Sequence, residues 1–231
     1  MIVYPEDWDY IYHIPTLDEI EGVLFSAVKD TKCCNLCLSG GVDSSLTLHF
    51  MSQIYDNIKC FTIAHTENHP DVFYSRMMTE KYGIDHFVYI PSDNDIKLAT
   101  KQNDLDGDVA VRLLFKFISN EVESAIVTDC IDELDCGYYV HQSNPDDNTF
   151  RRIIKELEDN HLRPLDINSG NVRVYVPYAT KDVVNTFLRI PVVDKTIGRK
   201  FHIRAIANKY IPLEIIDRWK YGFCDAFRIK T

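Results

Sequence analysis

The chain has 231 residues, 45% of them apolar, enough for a real core in one large domain or two small ones. Its formal net charge of −10 argues against broad nucleic-acid binding through charge, and no apolar run is long enough to cross a bilayer. Seven cysteines, odd in number and irregularly spaced, fit free thiols in a reducing, cytoplasmic setting, and the N-terminus carries no basic or signal-like apolar stretch.

Residues 1–15, with Trp8, read as an irregular arm over an edge of the core. Thr16 and Glu19 have the spacing of a capping box, and Ile20, Val23, Leu24, Ala27 and Val28 give the following helix one apolar face. Leu36-Cys37-Leu38 is a short buried strand. Cys34 and Cys37 form a CxxC, but side chains three apart on a strand face opposite ways and no second cysteine or histidine pair accompanies them. They read as core thiols.

Ser39-Gly40-Gly41-Val42-Asp43-Ser44-Ser45 follows the strand and leads into a helix marked by Leu46, Phe50 and Ile54. Adjacent glycines let backbone approach a ligand, and the amides that open the helix favour an anion. Ser39, Ser44 and Ser45 add hydroxyl donors. Asp43 would repel a phosphate unless a cation such as Mg²⁺ bridges the two. The Gly-Lys-Ser/Thr of the common phosphate loop is absent, which argues against kinases and GTPases of that type.

Further on, Lys59–Ala64 is predicted as a second strand, Asp71 as the cap of the next helix, and Gly83 as the glycine that ends it. His86–Ile90 is a third strand, 92–106 a surface loop, Val109–Ile118 an apolar helix and Ala125–Thr128 a fourth strand. Alternation of strands and helices predicts an α/β fold with a doubly wound parallel sheet, ligands lying beyond the strand ends at the switch point. Beyond Tyr138 the pattern turns helical, over 150–161, 181–189 and 199–210. The whole reads as a single domain over 1–231: arm and first helix at 1–30, α/β core at 33–138, helical half at 139–231. From Lys181 onward there are 11 Lys/Arg against 5 Asp/Glu, a net +6 on a chain whose remainder carries −16. A basic C-terminal segment fits a phosphate-facing wall, though charge alone fits a solvated helical surface better.

The heptapeptide resembles the pyrophosphate loop of the ATP-pyrophosphatase (PP-loop) families. Three more segments resemble the synthetase half of asparagine synthetases, in the same order. Asp129-Cys130-Ile131-Asp132-Glu133-Leu134-Asp135-Cys136-Gly137-Tyr138 is similar to their Asp-Glu-Leu-Phe-Gly-Gly-Tyr segment. Val176-Pro177-Tyr178 is similar to Val-Pro-Phe. Lys200-Phe201-His202-Ile203-Arg204 and Arg218-Trp219-Lys220-Tyr221-Gly222-Phe223 are similar to the closing segments.

The resemblance implies a fold of the adenine nucleotide alpha hydrolase (HUP) type with C-terminal helices. It also implies an ATP- and Mg²⁺-dependent ligase that adenylates a carboxylate and passes it to ammonia or an amine. Asp43 and Asp132 match the metal-binding carboxylates. Lys220 matches the lysine that stabilises the transition states, and Lys200 a second phosphate-facing lysine. Glu133 joins them as a catalytic candidate. The expected nucleotide-binding set is Cys37, Leu38, Ser39, Gly40, Gly41, Asp43, Ser44, Ser45, Ile63, Val127 and Asp129.

Partners would be a small-molecule carboxylate and a nitrogen donor from solution or a separate glutaminase, since Met1 is followed by Ile2 and not by a nucleophilic cysteine. Several positions depart from the family pattern. Thr128 and Cys130 stand for glycines, and Asp135-Cys136 for Phe-Gly, and side chains there are expected either to narrow the cleft or to change how AMP is held. Arg173 and Tyr175 replace the family's Glu and Arg and are expected near the acceptor. Two alternatives stay open: a PP-loop enzyme acting on tRNA or another small molecule, and a nucleotide-binding relative without catalysis.

Overall fold

The structure is a computed structural model that describes residues 13–218 and 226–227. The capping box forms as the sequence predicts. The Thr16 amide donates to Glu19 Oε2 at 2.7 Å and the Glu19 amide to Thr16 Oγ1 at 3.3 Å, and helix α1 (Leu17–Asp30) starts there. Then come β1 (Asn35–Cys37), α2 (Val42–Ser52), β2 (Lys59–Ile63), α3 (Pro70–Tyr82) and β3 (Asp85–Tyr89). Gly83 closes α3 in the left-handed region at φ +65, as its position predicts. The cap at the other end is a correction. His69 caps α3 by accepting the Asp71 amide, with Pro70 in the first turn, which frees the Asp71 side chain for other work.

The stretch 92–106 is also not wholly loop. Ser92 and Asp95 make a second capping box and start α4 (Asp93–Ala99), because a reciprocal pair satisfies two orphan amides even in a polar segment. Helix α5 (Asp108–Ile118) and β4 (Ser124–Ile126) follow. The second half contains α6 (Ile131–Leu134), α7 (Tyr139–Ser143), α8 (Asp147–Leu157), a π turn (Glu158–Leu162) and α9 (Arg163–Asn168). After them come β5 (Arg173–Tyr175), a 3-10 turn (Pro177–Ala179), α10 (Lys181–Leu188), α11 (Val192–Lys195), α12 (Phe201–Ala207) and α13 (Leu213–Ile216). The helical half therefore contributes a strand. Three residues are too few for a periodicity to show, and β5 exists because it pairs with β4, Ala125 facing Val174. No described helix is long and apolar enough to cross a membrane.

All five strands run parallel in the order β3-β2-β1-β4-β5, so the direction of winding reverses between β1 and β4. Both faces are covered. Leu36, Leu38, Cys60 and Ile126 face a core shared with α1, α2, α10 and α12. Cys37, Phe61, Ile63, Ala125 and Val127 face a second core built on Leu113, Leu114 and Ile118 of α5 and on Leu165 of α9. The period of two separates them, which is the doubly wound arrangement that the alternating elements predict. Cys37 is buried in the second core and Cys34 is half-buried; both are free thiols.

One buried group is costly. Lys195 is fully buried and its ammonium makes no hydrogen bond among the described residues; it lies 3.6 Å from the centre of the Phe150 ring. Burial drives its pKa down to about 8, partly offset by Cys136 and Asp135. Between about 8 and the ordinary 10.5 the unfolded chain holds a proton that the folded chain has released, so stability rises with pH across that window. Lys195→Met keeps the volume and removes the charge, and the loss of a cation–π contact of about 2 kcal/mol is smaller than the desolvation penalty of several kcal/mol. We expect Lys195→Met to be the more stable protein in urea melts at pH 7, and its advantage to shrink between pH 8 and 10.5. An advantage that does not change with pH would mean that Lys195 is not the group responsible.

Candidate active site

Chain leaving β1 turns sharply at Ser39-Gly40-Gly41 and enters α2. Gly40 sits at φ +65, and a Cβ there would lie 2.4 Å from the Ser75 amide nitrogen and 2.6 Å from the Tyr74 carbonyl carbon. The close approach served by this glycine is thus to α3. Gly41 caps α2 at φ −79, and a Cβ there would meet only Ser39 Oγ, at 3.3 Å. Ser44 Oγ accepts the Ser39 amide at 3.3 Å and shares a 3.2 Å hydrogen bond with Ser39 Oγ, while the Gly41 amide donates to Ser39 Oγ at 3.3 Å. The loop is held in shape by its own hydroxyls. Ser45 is fully buried in α2, and its hydroxyl makes no hydrogen bond among the described residues.

Arg218, 5% exposed on its side chain, straps the loop from outside. Its guanidinium donates to Ser39 O at 3.1 Å and Gly40 O at 2.9 Å, pairs with Asp71, and lies 4.8 Å from the centre of the Tyr74 ring. Sequence reasoning placed Arg218 only inside a family segment and read Asp71 as a helix cap. A buried Arg–Asp pair between distant segments leaves no local signature.

Asp43, one residue into α2, and Asp132, in the short α6 after β4, come from the two strands that flank the switch point. Lys200 brings them together. Its ammonium contacts Asp43 Oδ2 and lies 2.8 Å from Asp132 Oδ1, with the side chain 4% exposed. Burial would strip its proton, but Asp132 and then Asp43 outweigh that and raise its pKa above the ordinary lysine value. Gly137 makes room: a Cβ there would lie 2.3 Å from Asp132 Oδ1 and 2.6 Å from Lys200 Cε. Cys130, Cys136 and Lys200 all take left-handed backbone, at φ 79, 52 and 52. Two of them are the cysteines that stand where the family has glycine. The backbone has kept a glycine conformation without the glycine, at about 1–2 kcal/mol each.

Three of the four departing side chains stay out of the cavity wall. Cys130 and Cys136 are buried in the core, and Asp135 turns away from the cleft to accept the Ile203 amide at 2.9 Å and pair with His202 at 2.8 Å. It thereby anchors the start of α12. Thr128 alone of the four lines the cavity.

That cavity, of about 580 Å³, lies beyond the carboxyl ends of β1, β2 and β4. Of the residues singled out from sequence, Cys37, Leu38, Ser39, Asp43, Ile63, Val127, Asp129 and Asp132 line it. Gly40, Gly41, Ser44, Ser45, Glu133 and Lys200 do not. Lys220 lies outside the described residues. Arg173 is exposed on the edge strand β5, and neither it nor Tyr175 lines the cavity.

At the end away from the loop, Tyr138, Asn160 and His161 complete the wall, the last two delivered by the π turn. Glu133 lies just behind. It accepts the Tyr138 hydroxyl, and His161 Nε2 is 3.4 Å away. Burial, then Asp132, raises the Glu133 pKa; burial, then Glu133, pushes that of Asp129 up to about 6.

A family model described as asparagine synthase matches residues 23–164. The chain belongs to the asparagine synthase family. With it comes membership of the ATP-using PP-loop superfamily. The match includes the Ser39 loop and the Asp129–Tyr138 segment and stops before Lys200 and Lys220. Among solved structures, an NH3-dependent NAD synthetase from Campylobacter jejuni subsp. jejuni, in complex with the nitrate ion, is similar at 12% identity and a TM-score of 0.42. The similarity covers 81% of this chain and 96% of that one. Among curated proteins none matches.

The residues fit the groups that this family uses. The cavity has an apolar end at Phe61, Ile63, Leu114 and Leu165 and a polar end at the Ser39 loop. Two carboxylates already share one cation, and hard oxygen donors suit Mg²⁺, which takes one or two carboxylates and fills its shell with phosphate oxygens and water.

The two glycines have separable duties, and this is testable. Gly40→Ala should destabilise the fold by about 2–5 kcal/mol, roughly 5–15 °C in Tm, from left-handed strain plus the clash with α3. Gly41→Ala should melt within about 1 kcal/mol of wild type, since only a serine hydroxyl must give way. Equal melting temperatures for the two variants would contradict this division.

Proposed function

We propose that this protein is an ATP-dependent carbon–nitrogen ligase: it adenylates a carboxylate, then forms an amide with ammonia or an amine, releasing AMP and pyrophosphate. One observation carries the reading. Carboxylates from the ends of two different strands, Asp43 and Asp132, converge beside a glycine-turn helix start at the switch point of a parallel sheet. Opposed carboxylates are costly to hold together, and a site that concentrates phosphate charge next to divalent cations is a physical reason to hold them.

The adenosine would occupy the apolar end, between Ile63, Val127 and Leu114, with the triphosphate running to Ser39 and the α2 amides. A Mg²⁺ on Asp43 and Asp132 would offset charge on the phosphates and on the leaving pyrophosphate. Lys200 keeps the two carboxylates in place. Asp129 faces the cavity past Asp132, and its charge is already disfavoured there, so it is suited to take the proton that a nitrogen nucleophile gives up. The donor is ammonia or a small amine.

The test is isotope exchange between pyrophosphate and ATP across a panel of carboxylic acids, aspartate included. Exchange that depends on one of them supports the reading and names the substrate; none with any, in a protein that binds ATP, would leave a nucleotide-binding relative. The closing segment supplies a second test. Lys220 is expected to act on the α-phosphoryl group in the transition state, so Lys220→Ala should slow single-turnover adenylation by about 10²-fold or more. ATP affinity should change far less. Lys220→Arg should rescue only partly, a flat guanidinium being a poor copy of a compact ammonium. Near-wild-type adenylation in Lys220→Ala would remove that lysine from the mechanism.

A further inference from the structure

A second, smaller cavity of about 60 Å³ lies on the other side of the Ser39 loop. Three residues line both cavities: Ser39, Asp43 and Arg199. The rest of the smaller one mixes three cations, Lys200, Arg204 and Arg218, with Gly41, Val42, Ile215 and Ile216. Those three cations are already engaged. Lys200 holds Asp43 and Asp132. Arg204 donates to Ile216 O at 2.7 Å and pairs with Asp217 at 2.8 Å, and Arg218 holds the loop carbonyls and Asp71. Arg199 differs. It is half-buried and makes no ion pair among the described residues; its guanidinium lies 5.8 Å from the centre of the exposed Tyr139 ring.

We propose that Arg199 is the cation that takes up the leaving pyrophosphate. The inference rests on the ligase reading above and assigns it a residue that neither the resemblance nor the family match, which ends at 164, supplies. When the carboxylate oxygen bonds to the α-phosphorus, the bond from that phosphorus to the bridging oxygen breaks and its electron pair stays on the β-phosphate. Negative charge on the pyrophosphate grows. A guanidinium stays protonated and offers parallel donors to two phosphate oxygens, so it strengthens its hold as the bond breaks, with no proton changing hands. Arg199 lines both cavities, so the cation without an ion pair among the described residues stands where the phosphate end of the nucleotide cavity meets the smaller one. The left-handed backbone at Lys200 turns the two neighbouring basic side chains to separate tasks, one on the carboxylates and one on the wall between the cavities.

The experiment is calorimetric titration of the full chain with magnesium pyrophosphate and, separately, with AMP, which lacks the β and γ phosphates. Wild type, Arg199→Gln and Arg199→Lys are compared, each with a thermal melt. Arg199→Gln should weaken magnesium pyrophosphate by about 10- to 100-fold and leave AMP within about twofold, with Arg199→Lys between. Unchanged pyrophosphate affinity in Arg199→Gln overturns the proposal. So does an equal loss for AMP, which would mark Arg199 as a structural support for the wall. If wild type binds none of ATP, AMP and pyrophosphate, the ligase reading itself falls, and that result is distinguishable from failure of the Arg199 assignment alone.

Discussion

A buried ammonium between two carboxylates holds this molecule's two halves in register. Lys200 belongs to the turn before α12, Asp43 to the helix after β1, and Asp132 to the short helix after β4. Removing one partner of a buried ion pair typically costs about 3–5 kcal/mol, because the remaining charge is left uncompensated. Here the loss of Lys200 would leave two carboxylates facing each other across the switch point. Gly137 and three left-handed residues are local consequences of fitting that ammonium between them.

Other contacts follow from it. The start of α12 is fastened a second time by Asp135, through the Ile203 amide and His202, so the lysine emerges from a fixed turn. Arg218, fourteen residues after Arg204 on the same C-terminal segment, clamps the loop carbonyls and Asp71. Among the described cations of the basic C-terminal segment, Arg189, Lys200, Arg204, Lys209 and Arg218 are thus spent on carboxylates and carbonyls of the chain itself. The segment's charge excess is a structural resource before it is a binding surface, and only Arg199 among the described cations at the loop is left over.

Strain and mismatch concentrate at the same place. Cys130 and Cys136 keep backbone angles natural to glycine, while burial and a neighbouring carboxylate disfavour ionisation of both Asp129, beside Glu133, and Glu133, beside Asp132. Such costs persist where surrounding packing over-determines the backbone, and α6 is enclosed by the core that Ile131 and Leu134 enter. The site is built on strand ends and helix starts, with Asn160 and His161 of its wall supplied by a π turn.

Much was legible along the chain. The parallel sheet follows from strands alternating with helices, and the loop's place at the end of β1 from a strand, two glycines and an apolar stripe in sequence. Gly83 and the Thr16 capping box were readable because caps are local, decided within four or five residues. What the sequence could not determine was which distant side chains meet. Asp71 looked like a cap and is an arginine's partner; Lys200 looked phosphate-facing and closes on two carboxylates; Asp135 stood for a phenylalanine in the cleft and turned to α12 instead. Arg173 and Tyr175 were expected beside an acceptor and lie on an edge strand too short to announce itself. Each outcome depends on pairing across 49 to 157 residues, or on a backbone angle, and both are set by the packing of whole elements. Local pattern determined the first four strands and the helices between them, α4 excepted; the closing of the sheet by β5 and the burial of one lysine decided the site.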